Sequence, residues 1–154
     1  MKKQTFKLVI LLAVLGLLVM AYYGFSYYNN KPTVTIKGHV FEVEVVEDTD
    51  DLERGLSGRK DLSAEQAMLF IFSSKQELAF WMHEMNFNID LLWIDGNKII
   101  DYEKNMPAPD KNTAIKDLPR FFPNQPVDKV LEMNAGLIDS LGIKIGDTVD
   151  INID

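Results

Sequence analysis

One carboxylate stands inside an apolar run of the sequence, where an ionised group needs a partner. Asp90 lies between Ile89 and Leu91 in the stretch IDLLWID. Burying a carboxylate without a compensating contact is costly, so a neighbour must neutralise its charge. Arg54 and Arg59, at the two ends of a glycine-containing turn, are candidate partners. The simplest interpretation is an internal ion pair that belongs to the fold.

The same residue types can also form a pocket. Trp81 and Trp93 lie in apolar runs that predict strands. Ligand pockets combine apolar walls with a few polar groups. Arginine, tryptophan and aspartate could therefore line a site for a small polar ligand, with Asp90 as one of its contacts. The residues leave the ion pair and the pocket both open.

A third interpretation is an enzyme that uses two carboxylates. Asp90 with Glu84 or Glu132 could serve as general acid and base in a hydrolase of carbohydrate or cell-wall material. Such enzymes place two carboxyl groups about 5–10 Å apart. This interpretation requires that both carboxyl groups face one open cleft.

The sequence contains no motif for other kinds of catalysis or for metal binding. The chain has no cysteine and no G-x-S-x-G sequence. His83-Glu84 lacks the second histidine of H-E-x-x-H, and the acidic residues 47–51 do not keep the spacing of an EF-hand loop. Neither a G-x-G-x-x-G sequence nor a P-loop occurs. We therefore predict no catalytic residue, no metal ligand and no cofactor, and favour a binding domain over an enzyme.

The N-terminus predicts a membrane anchor. Leu8–Asn30 contains no charged residue, and a membrane-spanning helix needs about 20 apolar residues. Aromatic residues cluster at its far end, as they do at membrane–water interfaces. Three lysines precede the span and only Lys31 closely follows, which keeps the N-terminus in the cytoplasm. We predict an anchor over residues 1–30, in contact with the membrane through residues 8–30, and an extracytoplasmic domain over residues 31–154.

The alternative for this segment is a cleaved signal peptide, which would release the domain as a secreted protein. The apolar core of a signal peptide is shorter, about 7–15 residues, and a small-x-small site follows it. Val19-Met20-Ala21 resembles such a site poorly. A lipoprotein is excluded, because the chain has no cysteine to carry the lipid.

The charge of the domain limits its partners. All 23 acidic residues but only 13 of the 16 basic residues follow residue 30, which leaves a net charge of −10 there. An acidic surface repels nucleic acid and anionic lipid, so we predict no nucleic-acid partner. Because the chain has no cysteine, its stability must come from a packed core rather than from disulfides.

Short strands must carry these residues. Apolar alternation or continuous apolar runs predict strands within Thr33–Val46, Met68–Phe72, Leu78–Met82, Ile89–Asp95, Lys98–Lys104 and Val127–Met133. The dipeptide Asp95-Gly96 predicts a hairpin with a type I′ turn. Gly146-Asp147 predicts a second hairpin near the C-terminus.

Brief helices and one long loop complete the predicted domain. Helix signals occur from Asp48 or Thr49 to Gly58, which fits the left-handed C-terminal position, and at Ser63–Gln66. A short amphipathic helix is predicted in AGLIDSLG (Ala135–Gly142), with Gly142 as its end. Five prolines between residues 106 and 126 exclude a central strand there, and Phe121 and Phe122 are expected to pin this loop to the body. The predicted fold is mainly β (α+β), a compact sandwich or barrel-like domain with two or three short helices after an N-terminal transmembrane helix.

Several stretches together resemble the DUF192 family, also called UPF0127. They are ERGLSGR (Glu53–Arg59), MLFIF (Met68–Phe72), FWMHEMNFNIDLLWID (Phe80–Asp95), VLEMNAG (Val130–Gly136) and LGIKIGDTV (Leu141–Val149). They occur in the family's order and cover nearly all of residues 40–151. The chain departs from the family pattern at Ala67, where glycine is usual, and at Asn88, where proline is usual.

The resemblance implies a compact, mainly β domain that often follows a signal sequence or membrane anchor. It places five residues at signature positions of the family, namely Arg59, Trp81, Met82, Asp90 and Glu132. With Arg54 they form the predicted ligand-binding set. We expect a membrane-tethered extracytoplasmic domain that binds a small polar ligand or an envelope component, with a carbohydrate hydrolase or an assembly module using loop 106–126 as the alternatives.

Overall fold

A computed structural model describes residues 2–29, 31–47, 52 and 54–153 of the chain. Within it, an N-terminal helical unit and the unit Pro32–Ile153 each have their own internal contacts.

The N-terminal unit is one long helix, α1, over Lys2–Asn29. Its stretch Lys3–Gly24 is long and apolar enough to cross a membrane. Every side chain along that stretch is exposed, so its apolar surface is not packed into a protein core. A membrane-spanning anchor and an N-terminal signal sequence both have these properties.

Seven strands form one sheet in the second unit. They are β1 (Thr33–Ile36), β2 (His39–Val46), β3 (Gln66–Gln76), β4 (Ile89–Asp95), β5 (Lys98–Met106), β6 (Val127–Asn134) and β7 (Val149–Asn152). Their order in the sheet is β5-β4-β6-β3-β2-β1-β7, and each neighbouring pair is antiparallel except β2 and β3, which are parallel. A 3-10 turn (Ile115–Asp117) and a five-residue helix, α2 (Leu137–Leu141), accompany the sheet.

The sheet curls until its two edges approach each other. A bridge joins Lys98 in β5 to Thr148, just before β7, and the backbones of Ile99 and Val149 add hydrogen bonds across the same gap. All seven strands contribute to the apolar core inside the curl, and Ile138 of α2 is buried in it. The fold is therefore a mainly β half-barrel with few helices, which confirms the predicted class.

The outer face of the sheet carries a second apolar core over β3, β4 and β6. Two irregular segments cover it: residues 54–59, which we name the glycine turn, and residues 78–88, which we name the covering segment. Leu56 of the glycine turn and Met82 and Met85 of the covering segment are buried in this core. Because both faces of the central strands are buried, they read as continuous apolar runs in the sequence.

Local turn signals are largely confirmed. Asp95 pairs with Lys98 in the β4–β5 hairpin, and Gly96 has a φ of 60°. Glycine at the first central position is characteristic of a type II′ turn, not of the predicted type I′ turn. Helix α2 ends at Gly142 with a φ of 63°, as predicted.

Three predicted elements are wrong. The run Leu78–Met82 is not a strand; a single bridge joins Phe80 to Phe121. Ser63 begins a hydrogen-bonded turn that leads into β3 and not into a helix. Gly146-Asp147 does not close a hairpin, because β7 pairs with β1.

Two further predictions are only partly answered. The expected helix caps Asp48 and Thr49 lie outside the described residues, although Gly58 is left-handed as predicted, with a φ of 74°. Loop 106–126 is irregular apart from its 3-10 turn. Phe121 pins this loop by exchanging backbone hydrogen bonds with Phe80, whereas Phe122 is 55% exposed.

Candidate ligand pocket

A pocket of about 270 Å³ opens between the outer face of the sheet and the two segments that cover it. Phe70 and Phe72 of β3 form one side, and Phe80 and Trp81 of the covering segment form another. Glu132 of β6 also lines the pocket and is 6% exposed. The pocket is therefore mostly apolar, with a buried carboxyl group in its wall.

Hydrogen bonds hold the glycine turn to the covering segment, and residues of both segments line the pocket. The hydroxyl of Ser57 donates to the carbonyl of His83 (2.7 Å), and the amide of Gly58 donates to the carbonyl of Glu84 (2.9 Å). The side-chain amide of Asn86 donates to the carbonyl of Arg59 (2.8 Å). Two irregular segments, distant in sequence, thereby act as one wall.

Gly55 keeps the pocket open next to Glu132. It has a φ of 47°, a left-handed conformation that side chains disfavour. A Cβ at this position would lie 3.4 Å from Cζ of Phe70 and 3.6 Å from Oε2 of Glu132. Glycine at this position thus permits the left-handed turn and leaves the space in front of the Glu132 carboxyl group free of a side chain.

Glu132 is placed by the register of the sheet. It pairs with Met68 on β3 and with Leu91 on β4, so its side chain shares the outer face with theirs. Its Oε2 atom is buried and has no hydrogen-bond partner among the described residues. Nε2 of His39 and Nε1 of Trp93 are also buried without a hydrogen-bond partner among the described residues. Neither His39 nor Trp93 lines the pocket.

Burial raises the pKa of Glu132 to about 8, because the apolar surroundings disfavour the ionised form. The positive charge of Arg59 opposes this effect by lowering the pKa. At neutral pH the carboxyl group is therefore mostly protonated, and it can donate one hydrogen bond as well as accept them. Perturbed ionisable groups in clefts are characteristic of functional sites.

Aromatic rings dominate the wall around this carboxyl group. Phe70 and Phe80 meet edge to face with their ring centroids 5.2 Å apart, and Phe80 meets Trp93 in the same way at 5.3 Å. The guanidinium of Arg120, from loop 106–126, lies 4.2 Å from the centroid of the Trp81 ring. Loop 106–126 therefore contacts the covering segment at Trp81 through a cation–π interaction.

The two predicted arginines have different positions. Arg54 is exposed and lines the pocket. Arg59 forms an ion pair with Glu44 of β2, with a nitrogen–oxygen distance of 2.5 Å, and lies outside the pocket lining. Only Arg54 is thus placed to contact a molecule in the pocket.

Asp90 does not pair with an arginine, and that prediction is wrong. Its Oδ1 accepts the amide hydrogen of Asn105, and its Oδ2 accepts that of Ile138, both at 2.8 Å. Asp90 is 1% exposed and lies on the inner face of the sheet, because it pairs with Met133. Backbone amides at the start of α2 and at the left-handed residue Asn105 therefore provide hydrogen bonds to both carboxyl oxygens.

The paired-carboxylate hydrolase is not supported by this geometry. Asp90 and Glu132 lie on opposite faces of the sheet, since Asp90 pairs with Met133 and Glu132 pairs with Leu91. Glu84 is exposed, whereas Asp90 is buried with both oxygens hydrogen-bonded. Neither pair of carboxyl groups faces one open cleft, as acid–base catalysis requires.

Of the six predicted ligand-binding residues, the structure brings three to the pocket: Arg54, Trp81 and Glu132. Met82 is a core residue, 1% exposed. Sequence reasoning missed Gly55, Phe70 and Phe80 as pocket residues. Gly55 carried a signal, since an isolated glycine near the end of a predicted helix marks a special backbone conformation, but nothing in the sequence indicated what it faces.

Within the described part of the chain, no group of three or more His, Asp or Glu side chains could hold a metal ion. Most of the acidic stretch 47–51 lies outside the described residues.

Two solved structures share this fold. A protein from Novosphingobium aromaticivorans DSM 12444, described as of unknown function, is 28% identical, with a TM-score of 0.67, over 78% of this chain and 83% of its own. A protein from Sinorhizobium meliloti 1021, described as a candidate transcription regulator, is 25% identical, with a TM-score of 0.68, over 79% of this chain and 92% of its own. No protein of curated function matches the chain.

The family comparison confirms the resemblance seen in the sequence. The family DUF192, described as "Uncharacterized ACR", matches residues 32–151, which include the pocket and all of the sheet except the last residue of β7. This chain therefore belongs to the DUF192 family.

Proposed function

We propose that the domain binds a small ligand in the pocket beside Glu132 while α1 holds it at the outer surface of a membrane. The observation that carries the proposal is the buried Oε2 of Glu132, which lines the pocket and has no partner among the described residues. Buried polar atoms are nearly always hydrogen-bonded in folded proteins. A ligand group in the pocket would supply the missing bond.

Stability considerations support a functional role for this carboxyl group. A pKa raised from 4.5 to about 8 costs the folded state about 3 kcal/mol near pH 7, since the unfolded chain ionises freely. A leucine or methionine at this position would avoid that cost. Destabilising groups of this kind are retained where function needs them.

The pocket limits the size of the ligand. A volume of about 270 Å³ lies just below the range of about 300–1,000 Å³ that is usual for small-molecule pockets. The ligand, or the part of it that enters, is therefore small, and most of its surface is apolar to match the walls.

Gly55→Ala is expected to abolish binding without unfolding the domain. The new methyl group would occupy the space 3.6 Å from Oε2 of Glu132. Gly58→Ala is a matched control, because Gly58 is also left-handed but a Cβ at that position would meet no atom within 4 Å. Each substitution should cost about 1 kcal/mol of stability through the backbone alone.

The measurement is a thermal-shift screen of the full chain in detergent micelles with sugars, amines, carboxylic acids and cell-wall fragments. A ligand at about 100 times its Kd should raise the melting temperature by on the order of 10 °C. The wild-type protein and Gly58→Ala should respond, and Gly55→Ala should not. Equal responses of both alanine variants, or no response to any class, would rule out this pocket as the binding site.

The membrane tether rests on α1 and on the lysines before it. We expect the full-length chain, with its N-terminus intact by mass spectrometry, in the membrane fraction, and Pro32–Ile153 accessible to protease added from outside. Replacing Leu11, Leu15 and Leu18 with lysine should move the protein out of the membrane fraction. A mature chain that begins near residue 22 in the soluble fraction would instead support the cleaved signal peptide.

A second candidate function is assembly through loop 106–126. Ile115 and Phe122 are 56% and 55% exposed on this loop. Exposed apolar side chains on a long loop can serve as contacts for another protein. If this loop binds a partner, Ile115→Ser with Phe122→Ser should abolish association and leave the melting temperature unchanged, whereas Gly55→Ala should not affect association.

A further inference from the structure

The pocket wall is chemically suited to a positive charge. The pocket that Glu132 lines is also lined by four aromatic residues, namely Phe70, Phe72, Phe80 and Trp81. Aromatic rings attract cations through their negative faces, most strongly where water is excluded. The contact between Arg120 and the Trp81 ring shows that this ring already takes a guanidinium on one face.

The carboxyl group selects the kind of cation. Oε2 of Glu132 is a buried acceptor without a partner among the described residues, so it lacks a hydrogen-bond donor. A protonated amine supplies that donor and the opposite charge in a single group. A quaternary ammonium has no N–H to donate to this atom, and a carboxylate anion has no hydrogen to donate to it either.

Taken together, these features lead us to propose that the ligand of this pocket is a small organic amine, bound as its protonated ammonium with an N–H donated to Glu132 and its carbon body against the aromatic rings. The inference rests on the proposed function and specifies its ligand class. The net charge of −10 after residue 30 would also draw cations toward the domain.

The neighbouring arginines restrict this class further. Arg59 is occupied by Glu44, and Arg54 lies exposed in the pocket lining. A second positive charge at the outer end of the ligand would meet Arg54, whereas a neutral or acidic group would not. The site therefore takes ligands with one ammonium group, oriented inward.

Binding of an ammonium requires Glu132 to lose its proton. The charged groups near Glu132 among the described residues are Arg54 and Arg59, and both keep their charge through this pH range. From β3 and β4, the residues paired with Glu132 are apolar. With a pKa of about 8, Glu132 should release about 0.9 proton on binding at pH 7.

The test uses cyclohexylamine, cyclohexanol and cyclohexanecarboxylate with the full chain in detergent micelles. The amine and the alcohol have the same shape, and an alkylamine, like lysine, stays protonated up to about pH 10. Isothermal titration in buffers of different ionisation enthalpy gives the affinity and the number of protons released. We expect the amine to bind at least about tenfold tighter than the alcohol, and about tenfold tighter at pH 7 than at pH 6.

Glu132→Gln removes the ionisable group and keeps its size, so it should abolish proton release and the preference for amine over alcohol. Glu103→Gln is the control, because burial also raises the pKa of Glu103 but this residue lies outside the pocket lining. Glu103→Gln should leave the proton release and the preference for amine over alcohol unchanged.

Two results would overturn the assignment. If the alcohol or the carboxylate binds as tightly as the amine and Gly55→Ala abolishes that binding, the pocket binds ligands but not ammonium groups, and the proposed function stands alone. If none of the three probes binds, the ammonium assignment fails, and the broader screen then decides the proposed function. Proton release by the wild-type protein is measured without any variant, so the test does not depend on how a variant folds.

Discussion

Asp90→Asn should destabilise the domain by about 2–4 kcal/mol without affecting the pocket. Each oxygen of Asp90 accepts one backbone amide hydrogen, from Asn105 and from Ile138, at 2.8 Å. Asparagine keeps one acceptor but turns an NH₂ donor toward the other amide, which loses a charge-assisted bond and leaves a buried donor unpaired. Chemical denaturation of the full chain in detergent, monitored by tryptophan fluorescence, measures the loss.

The matched control is Asp150→Asn, since Asp150 is exposed on β7. Its effect should stay within about 0.5 kcal/mol, as is usual for surface substitutions. Asp90 lies on the inner face of the sheet and Glu132 on the outer face, so folded Asp90→Asn should still respond to ligand. Unchanged stability together with lost ligand response would show that Asp90 acts in binding and not in the fold.

Asp90 also shows how far sequence reasoning reaches. A carboxylate within an apolar run must have a partner, and this much follows from solvation alone. Whether the partner is a side chain or the backbone depends on which segments meet there. Asn105 and Ile138 are brought together by β5 and α2, and these two residues lie 33 positions apart along the chain. Long-range contacts of this kind leave no local pattern in the sequence.

The same distinction between local and long-range contacts decides which parts of the fold were predictable from the sequence. The β4–β5 hairpin and the end of α2 were predictable, because single glycines with positive φ determine them. The pairing of β7 with β1 was not, since Gly146-Asp147 has the local chemistry of a hairpin. The run Leu78–Met82 is as apolar as a strand, yet it crosses the sheet as a cover, and composition cannot distinguish these two uses.

The unpaired carboxyl group in the pocket could not be predicted from the sequence either. Glu132 lies between apolar neighbours much as Asp90 does, but the two carboxyl groups end in opposite states. Asp90 is fully hydrogen-bonded, whereas Oε2 of Glu132 has no described partner. The difference arises from Gly55, which faces Glu132 with no side chain to fill the space. Predicting it would require knowing that a turn 77 residues earlier packs on β6.

Glu132→Gln should make the domain more stable at alkaline pH and leave its stability nearly unchanged in acid. The pKa of Glu132 is raised from 4.5 to about 8 in the folded state. Below about pH 4 the carboxyl group is protonated in both states and has no effect on stability. As pH rises toward 8, only the unfolded chain ionises, so the folded state loses about 3–5 kcal/mol and then levels off.

Glutamine does not ionise, so the variant should lack this decline and exceed the wild-type protein by about 3–5 kcal/mol at pH 9. Denaturation curves of the full chain between pH 4 and 9 measure the difference. Glu103→Gln should show a much smaller effect, because that carboxyl group is only partly buried. Parallel stability curves for wild type and Glu132→Gln would mean that Glu132 ionises normally in the folded domain, through a partner or a water that satisfies its carboxylate. The carboxyl group would then have no need of a ligand, and the case for a binding site beside it would lose its main support.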